Sequence, residues 1–337
     1  MLNFRNDYSE GAHPTILEAM RKNNLTPVVG YGKDEFCAHA VAMIRERFSC
    51  PTADVHFLVG GTQTNLTLIG CALKPYEAVI CADTGHINVH ETGAIESTGH
   101  KVLPVYKEDG KLTPADVLSV IRSHTDEHMV KPRMIYLSQS TEVGTVYTRQ
   151  ELEALRKLCD KLHLLLYLDG ARLASGMTAP DCDLMPAALP RLCDAFYIGG
   201  TKNGALFGEA LVLVNDALKP DFRYMIKNRG AMLAKGWLLG MQFEGLFTGD
   251  LYFTLGRHAN AMAARLRDGL LEKGYELAYP STTNQVFAVL DKDQIFELTT
   301  EAAFEFTKNW SKTHDVVRFV TSWATKPEDV DAMLALL

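Results

Sequence analysis

Two ionisable side chains stand beside strand-like apolar stretches, where a buried charge is unusual. Lys202 lies in a short turn between the strand-like runs 195–198 and 208–215, and Asp169 ends the run 163–168. Such continuous apolar runs are typical of strands that are buried on both faces of a parallel sheet. Because ligands bind at the carboxyl ends of these strands, both residues are expected at a ligand-binding edge.

The pairing of Asp169 with Lys202 indicates chemistry on pyridoxal phosphate (PLP). A lysine amine can react with the aldehyde of this cofactor, and a carboxylate can keep its pyridine nitrogen protonated so that the ring accepts electrons. The alternative for Lys202 alone is an ordinary surface lysine beside a tight turn. A lone carboxylate at a buried strand end is costly, so the position of Asp169 favours the PLP interpretation.

A glycine turn that follows another strand-like run is a candidate phosphate site. Gly61 and Thr62 open a predicted helix over 62–72. Glycines at such a turn let a phosphate approach backbone N–H groups, and the helix dipole adds attraction. The alternative is a turn that needs glycine only for tight packing. The position of the turn ahead of the aspartate and the lysine favours phosphate binding.

His86 follows the predicted strand 78–82 and is a candidate for contact with a flat ring. An imidazole just beyond the carboxyl end of a strand can lie over a planar ligand. His90 and His100 are rival candidates, and a hydrogen-bonded loop histidine is the structural alternative. The segment that follows, 87–98, is predicted to form a helix.

Arg318 lies inside the apolar run 316–320. A guanidinium there needs a partner, because an unpaired buried charge is costly. The α-carboxylate of an amino-acid substrate could pair with it through two parallel hydrogen bonds. The alternative is an ion pair within the protein.

Four motifs resemble those of the threonine aldolase branch of the β-eliminating lyases, and they occur in the order of that family. The motifs are VGGTQTN (59–65), GHINVHETGA (85–94), LDGARL (168–173) and GGTKNG (199–204). The resemblance implies a fold-type I PLP-dependent transferase fold. It also implies cleavage of the Cα–Cβ bond of a β-hydroxy-α-amino acid, which yields glycine and an aldehyde.

The resemblance assigns roles to individual residues. Lys202 would bind PLP, His86 would stack on its ring, and Arg172 would contact the ring hydroxyl or the phosphate. Tyr31 would lie near a subunit interface beside the cofactor and contribute to substrate binding. Members of this family form homodimers or homotetramers whose active sites are shared between subunits.

The chain departs from the family pattern at Glu142. The common pattern after this strand is Glu-Asn-Thr-His, whereas here the stretch 139–142 reads Gln-Ser-Thr-Glu. The histidine that often handles the β-hydroxyl group is therefore absent. A carboxylate whose pKa is raised by burial can transfer that proton instead, which makes Glu142 a candidate catalytic residue. The alternative is a solvated loop acid, with His86 or a water molecule as the base.

Composition limits the partners and the compartment. The formal net charge of −7 argues against nucleic acid or an anionic membrane as the main partner. No apolar run approaches the ~18 residues typical of a membrane-spanning helix, and the N-terminus has no signal-peptide core. The seven cysteines form no CxxC motif and no Cys/His cluster, so we expect reduced thiols, no metal site and a cytoplasmic protein.

The order of the predicted elements indicates an α/β fold with a mostly parallel, doubly wound sheet. Two strands separated only by the short lysine turn predict one antiparallel strand. We expect a large PLP-binding domain over residues 1–248 and a smaller α+β C-terminal domain over 249–337.

Two other functions fit parts of the pattern. The nearer alternative is another PLP-dependent lyase, which would catalyse β-elimination on a different amino acid. The more distant one is a nucleotide-binding oxidoreductase or a binding module on a doubly wound sheet. No GxGxxG motif follows a strand, which counts against dinucleotides.

Overall fold

The computed structural model describes residues 1–337. The strands are β1 Leu2–Asn3, β2 Asp54–Leu58, β3 Glu77–Ala82, β4 Val102–Val105, β5 Lys131–Ser138, β6 Leu165–Asp169, β7 Ala195–Gly199, β8 Glu209–Leu213, β9 Glu276–Leu277, β10 Gln285–Asp291, β11 Ala302–Ala303, β12 Glu305–Asn309 and β13 His314–Val320. The α-helices are α1 Pro14–Asn23, α2 Glu35–Arg47, α3 Gly61–Ala72, α4 His86–Val89, α5 Pro114–Ser123, α6 Arg149–Leu162, α7 Leu173–Met177, α8 Leu189–Leu192, α9 Phe222–Asn228, α10 Trp237–Phe247, α11 Leu251–Glu272, α12 Lys292–Leu298 and α13 Pro327–Leu336. None of these helices is long and apolar enough to cross a membrane.

A seven-stranded sheet with the order β2-β8-β7-β6-β5-β3-β4 forms the centre of the fold. The pairs from β7 to β4 are parallel, whereas β8 is antiparallel to both of its neighbours. This confirms the predicted doubly wound sheet and its antiparallel strand. Strand β8 is antiparallel because the lysine turn is too short for a crossover connection.

Strand β6 shows why the central strands are apolar throughout. Leu166 and Leu168 pack into the core on one face of the sheet, and Leu165 and Tyr167 pack into the core on the other face. Both faces are covered, so successive side chains are all buried and no polar alternation is needed. The strand therefore carries Asp169 to its carboxyl end through the buried core.

A smaller antiparallel sheet with the order β12-β13-β10-β9 lies in the C-terminal part of the chain. The N-terminus also packs there, because β1 pairs in parallel with β11 and Phe4 joins the small core around Phe319. From this position the N-terminal segment continues towards the large sheet. The division at residue 248 stays a prediction.

The segment 87–98 does not form the predicted helix. Helix α4 ends at Val89, and Thr92 and Gly93 have φ angles of 51° and 71°. These angles lie in the left-handed region and interrupt a right-handed helix. Glu91 lies in the interrupted stretch, and its side chain is fully buried.

Candidate active site

A cavity of about 340 Å³ opens at the carboxyl edge of the seven-stranded sheet. Its walls include the ends of β2, β5 and β6 and the turn between β7 and β8. Seven residues predicted from the sequence line it: Gly61, Thr62, His86, Glu142, Asp169, Arg172 and Lys202. The fold therefore brings the lysine, the aspartate and the glycine turn together.

Lys202 is held by the turn between β7 and β8. The backbone N–H groups of Gly200 and Thr201 both donate to one carbonyl across this turn, at 3.0 and 3.1 Å. The Lys202 Nζ lies 6.0 Å from the centre of the Tyr8 ring, and no carboxylate lies within 4 Å of it. Burial, together with the positive charge of Arg172, lowers the pKa of Lys202. The amine therefore loses its proton more easily than an ordinary lysine, as a nucleophile must.

Asp169 is held by neutral hydrogen-bond donors. Its Oδ2 accepts from the Tyr136 hydroxyl at 2.5 Å and from the Asn65 amide at 3.2 Å, and its Oδ1 accepts from the Ala171 N–H at 2.9 Å. The residue is 4% exposed, and no cationic side chain lies within 4 Å. The site therefore suits a ligand that brings a positive charge.

A chain of hydrogen bonds joins Asp169 to His86. The Asn65 amide donates both to Asp169 and to Glu91, the latter at 2.7 Å, and its carbonyl accepts from Tyr167 at 2.7 Å. The Glu91 Oε1 lies 2.8 Å from the His86 Nδ1. A buried carboxylate at Nδ1 fixes the orientation of the imidazole ring. His86 is thus held in one position on the cavity wall.

Of the three candidate histidines, only His86 lines this cavity. The His90 ring lies 5.5 Å from the His86 ring, outside the wall. His100 is buried elsewhere, with its Nδ1 at 3.1 Å from the Glu77 carbonyl.

Glu142 is half-buried and faces the same cavity. Its Oε1 accepts from the Ser138 hydroxyl at 2.7 Å and from the backbone N–H of His86 at 3.0 Å. Burial raises the pKa of Glu142; the hydrogen bond from Ser138 opposes this shift, and the negative charge of Asp169 adds to it. A carboxyl group with a raised pKa can exchange protons closer to neutral pH.

Arg172 lines the cavity but is already paired within the chain. Its Nε and Nη2 donate to the two oxygens of Asp7, at 2.7 and 3.1 Å. Asn284 also donates to Asp7, at 2.9 Å. The N-terminal segment thus supplies a buried counter-ion for Arg172, and the contact of Arg172 with the cofactor stays a prediction.

Arg318 lies on β13, behind the cavity wall, and it is near enough to Arg172 and His90 for their charges to interact. Its Nη1 donates to Gln285 at 3.3 Å, and its Nε is buried without a partner. No carboxylate lies within 4 Å, so the alternative of an ion pair within the chain is not formed. Burial, with the charge of Arg172, lowers the pKa of Arg318. An anionic ligand would satisfy this guanidinium.

Tyr31 is the predicted site residue that lies farthest from this arrangement. It lines a second cavity of about 320 Å³, and the Lys227 Nζ lies 5.0 Å from its ring centre. The side chain is 47% exposed. Within a single chain Tyr31 therefore does not share a cavity with Lys202, and its contact with the substrate stays a prediction.

Among the residues that the prediction omitted at or behind the cavity wall are Asp7, Tyr8, Asn65 and Glu209. Glu209 had a signal, because it begins an apolar strand just as Asp169 ends one. Asp7 and Tyr8 had none, since their segment shows neither helical nor strand periodicity.

The cavity fits PLP on an observation independent of the lysine. A side-chain carbon placed on Gly60 would meet no atom within 4 Å, so open space adjoins the first turn of α3. The N–H groups of that turn have no partners within the helix and attract anions. Lys202 would hold the aldehyde, Asp169 the ring nitrogen, and Gly61 with Thr62 the phosphate.

Comparison with known proteins identifies the family of this chain. The family model of the β-eliminating lyases matches residues 3–293. The low specificity L-threonine aldolase of Pseudomonas aeruginosa is 33% identical over 97% of this chain and 94% of its own length. A solved structure of Leishmania major threonine aldolase is 49% identical with a TM-score of 0.99, and the match covers 100% of this chain and 98% of that one.

The fold extends to more distant enzymes. The aspartate aminotransferase of Thermus thermophilus is 16% identical with a TM-score of 0.75, over 100% of this chain and 90% of that one. This likeness shows the fold-type I architecture alone. The family match and the closely similar aldolases show more: the chain belongs to the β-eliminating lyase family, in its threonine aldolase branch.

Proposed function

We propose that the cavity is the active site in which a β-hydroxy-α-amino acid of the threonine or allo-threonine type is cleaved to glycine and an aldehyde. The protein is a PLP-dependent carbon–carbon lyase of the threonine aldolase family. The observation that carries the assignment of the site is Lys202, whose amine has a lowered pKa and no counter-ion and shares one cavity with Asp169. When bound, PLP accepts the electron pair that is left on Cα as the Cα–Cβ bond breaks.

The large domain holds the cofactor in this proposal. Lys202 would hold the aldehyde of the cofactor, and Asp169 would keep a proton on the ring nitrogen. His86 would lie against the ring, in the orientation that its contact with Glu91 imposes. Arg172 contacts the ring hydroxyl or the phosphate while Asp7 holds its other side.

Arg318 binds the substrate carboxylate. Its buried Nε without a partner leaves a hydrogen-bond donor for this ligand. A guanidinium that forms two parallel hydrogen bonds fixes the direction of a carboxylate as well as its position. Arg318 would thereby orient the substrate so that its Cα–Cβ bond is the one that breaks.

Glu142 removes the proton of the β-hydroxyl group. Its raised pKa makes it a stronger base than an ordinary carboxylate. The Cα–Cβ bond then breaks, the β-carbon leaves as an aldehyde, and Cα takes up a proton to give glycine. His86 or a bound water is the alternative base.

Glu142 makes a second PLP-dependent activity an alternative for this site. The residue stands where the family often has histidine, so β-elimination on another amino acid is a competing use of the site. Membership of the family excludes the nucleotide-binding alternative.

One experiment separates these functions. The purified protein is examined for the visible absorbance of bound PLP, and a panel of amino acids is then screened for aldehyde release and for keto-acid release. We expect aldehyde and glycine from threonine or allo-threonine. Keto acid without aldehyde would favour β-elimination, and a colourless protein that PLP does not activate would refute both.

We also infer that the active enzyme is a homodimer or homotetramer with shared sites. Leu25, Val29 and Tyr31 are apolar and exposed at 92%, 63% and 47%, which favours a covering subunit. Mixing inactive Lys202→Ala and Tyr31→Ala chains tests this. Recovery of activity supports a site built from two subunits, and no recovery in a proven mixed oligomer contradicts it.

The compartment is proposed to be the reducing cytoplasm. All seven cysteines are unpaired, which is usual where thiols stay reduced. Titration of the unfolded protein without reductant should find all of them as free thiols.

A further inference from the structure

Glu209 is a buried carboxyl group in the active-site cavity that the proposed reaction does not use. It begins strand β8, is 4% exposed and lines the cavity together with Lys202. No lysine, arginine or histidine nitrogen lies within 4 Å of its carboxyl oxygens. The chain therefore supplies no ion-pair partner for this acid.

The position of Glu209 links it to both parts of the proposed cofactor site. It pairs with Leu58, the last residue of β2, from which the chain runs directly through Gly60 into helix α3. Its Oε2 accepts from the Gly200 N–H at 3.0 Å, and its Oε1 lies 2.8 Å from the Thr201 hydroxyl oxygen. Glu209 thus contacts the lysine turn and borders the strand that leads into the proposed phosphate turn.

The surroundings of Glu209 favour its neutral form. Burial raises the pKa of Glu209 to about 8, although the hydrogen bond from Thr201 and the charge of Lys202 oppose this shift. The titratable groups that face it are Lys202, Asp169 and Tyr167 on β6, Tyr197 on β7 and Tyr252 on α11. Since the folded pKa is raised, the carboxyl group is neutral below about pH 8 and ionises above it.

We propose that Glu209 acts as a neutral acid beside the phosphate site, so that binding of the cofactor phosphate to the protein with Glu209 ionised draws one proton from solvent onto this carboxyl group. The inference rests on the phosphate turn proposed above. An ionised Glu209 would repel a dianionic phosphate, whereas the neutral acid does not. The new O–H bond on Oε1 can donate to the Thr201 oxygen, which frees the Thr201 hydroxyl hydrogen to point into the cavity that it also lines.

Calorimetry of the cofactor-free full chain can measure how many protons are taken up on binding. The probe is 4′-deoxypyridoxine 5′-phosphate, which has the ring and the phosphate but no aldehyde, so Lys202 does not react. Titrations in buffers with different ionisation enthalpies count the protons taken up. At about pH 8.5 the wild-type protein should take up more than about half a proton, and near pH 6.5 this contribution should disappear. The probe without its phosphate should lack this uptake.

Glu209→Gln imitates the neutral acid and keeps its size. Above about pH 8 the affinity of the wild type for the phosphorylated probe should fall by up to about tenfold per pH unit, relative to the affinity of the variant. The proton uptake should be lost in the variant. An unchanged proton count in Glu209→Gln would overturn the proposal. If this variant does not fold, equal proton uptake of the phosphorylated and unphosphorylated probes by the wild type would overturn it as well.

The variant Thr62→Ala tests the proposed phosphate turn independently of the role of Glu209. If the turn is correct, this variant should bind the phosphorylated probe more weakly with the wild-type proton count. Wild-type affinity in Thr62→Ala would refute the role of Thr62 in the phosphate turn. A wild type that needs Thr62 but takes up no proton would refute the role of Glu209 alone.

Discussion

Two groups of buried charges in this protein differ in whether the chain itself supplies a partner. Around Asp7 and Arg172, both oxygens of a carboxylate meet a guanidinium, and Asn284 adds a further donor. Lys202, Asp169 and Arg318 have no opposite charge within 4 Å, although each is buried or half-buried.

This difference separates architecture from ligand binding. A buried charge without a counter-ion is costly, so a fold retains one only where something else compensates for it. The three unpaired residues are the ones assigned to the aldehyde, the ring nitrogen and the substrate carboxylate. The paired residues instead fasten the N-terminal segment to the wall of the site.

Among the variants that test this contrast, Lys202→Ala should cause the largest loss of activity. Activity should fall to background, because no other amine lies in the cavity, while the fold should remain intact. Borohydride should attach PLP to Lys202 in the wild type. Lys308→Ala, which removes a lysine beside Tyr279 in the small sheet, is the control and should keep activity. Labelling of another lysine would contradict the assignment.

Asp169→Asn should lower kcat by several orders of magnitude while PLP still binds, because the amide cannot hold the ring proton. The control is Asp194→Asn, since Asp194 is paired with Arg156 at the opposite edge of the sheet. That change should lower stability and spare kcat. Near-normal turnover of Asp169→Asn would show that another group holds the ring nitrogen.

Glu142→Gln keeps the size of the side chain and removes the base. It should lower kcat for aldol cleavage by about 10²–10⁴-fold. Exchange of the glycine α-proton, which involves no β-hydroxyl group, should survive and can be followed by NMR. A parallel loss of both activities would show that Glu142 maintains the shape of the site.

Asp7→Asn tests the paired group. It leaves Arg172 without a counter-ion, so the free energy of unfolding should fall by about 3–5 kcal/mol in urea denaturation. Asp331→Asn, which breaks an exposed pair with Arg265, should lower it by no more than about 1 kcal/mol. Equal effects would remove the distinction between buried and exposed pairs.

This pair also has a pH dependence. Burial favours the neutral acid, but the charge of Arg172 and its hydrogen bonds hold the pKa of Asp7 below its ordinary value. The contribution of Asp7 to stability is therefore present above about pH 4 and is lost as the pH falls through its folded pKa. In Asp7→Asn the free energy of unfolding should therefore change less with pH at acidic pH than it does in the wild type.

Arg318→Lys should have the smallest of these effects. Loss of the two parallel hydrogen bonds should weaken amino-acid binding by about 1.5–3 kcal/mol, without a change in PLP absorbance. The free energy of unfolding should stay close to that of the wild type, because no internal ion pair is broken. A loss of stability with unchanged substrate affinity would instead give Arg318 a structural role.

Much of the site was predictable because its residues follow strands that are easy to recognise. Asp169 and Lys202 stand beside apolar runs, and Gly61 opens a helix after another run, so the topology alone brings them to one edge. The prediction of a helix over 87–98 was wrong. Left-handed angles at Thr92 and Gly93 are not visible in a periodic pattern.

The sequence by itself determined the order of the central strands, the family motifs and the candidate lysine, because these depend on local periodicity and short motifs. Only the tertiary structure decided which charges have partners. Asp7 meets Arg172 across 165 positions, and Asn65 meets Asp169 across 104. Such contacts depend on how distant segments pack, and the local sequence around one residue of a pair does not predict its partner. The same holds for Tyr31, which the fold places in a separate cavity from the lysine.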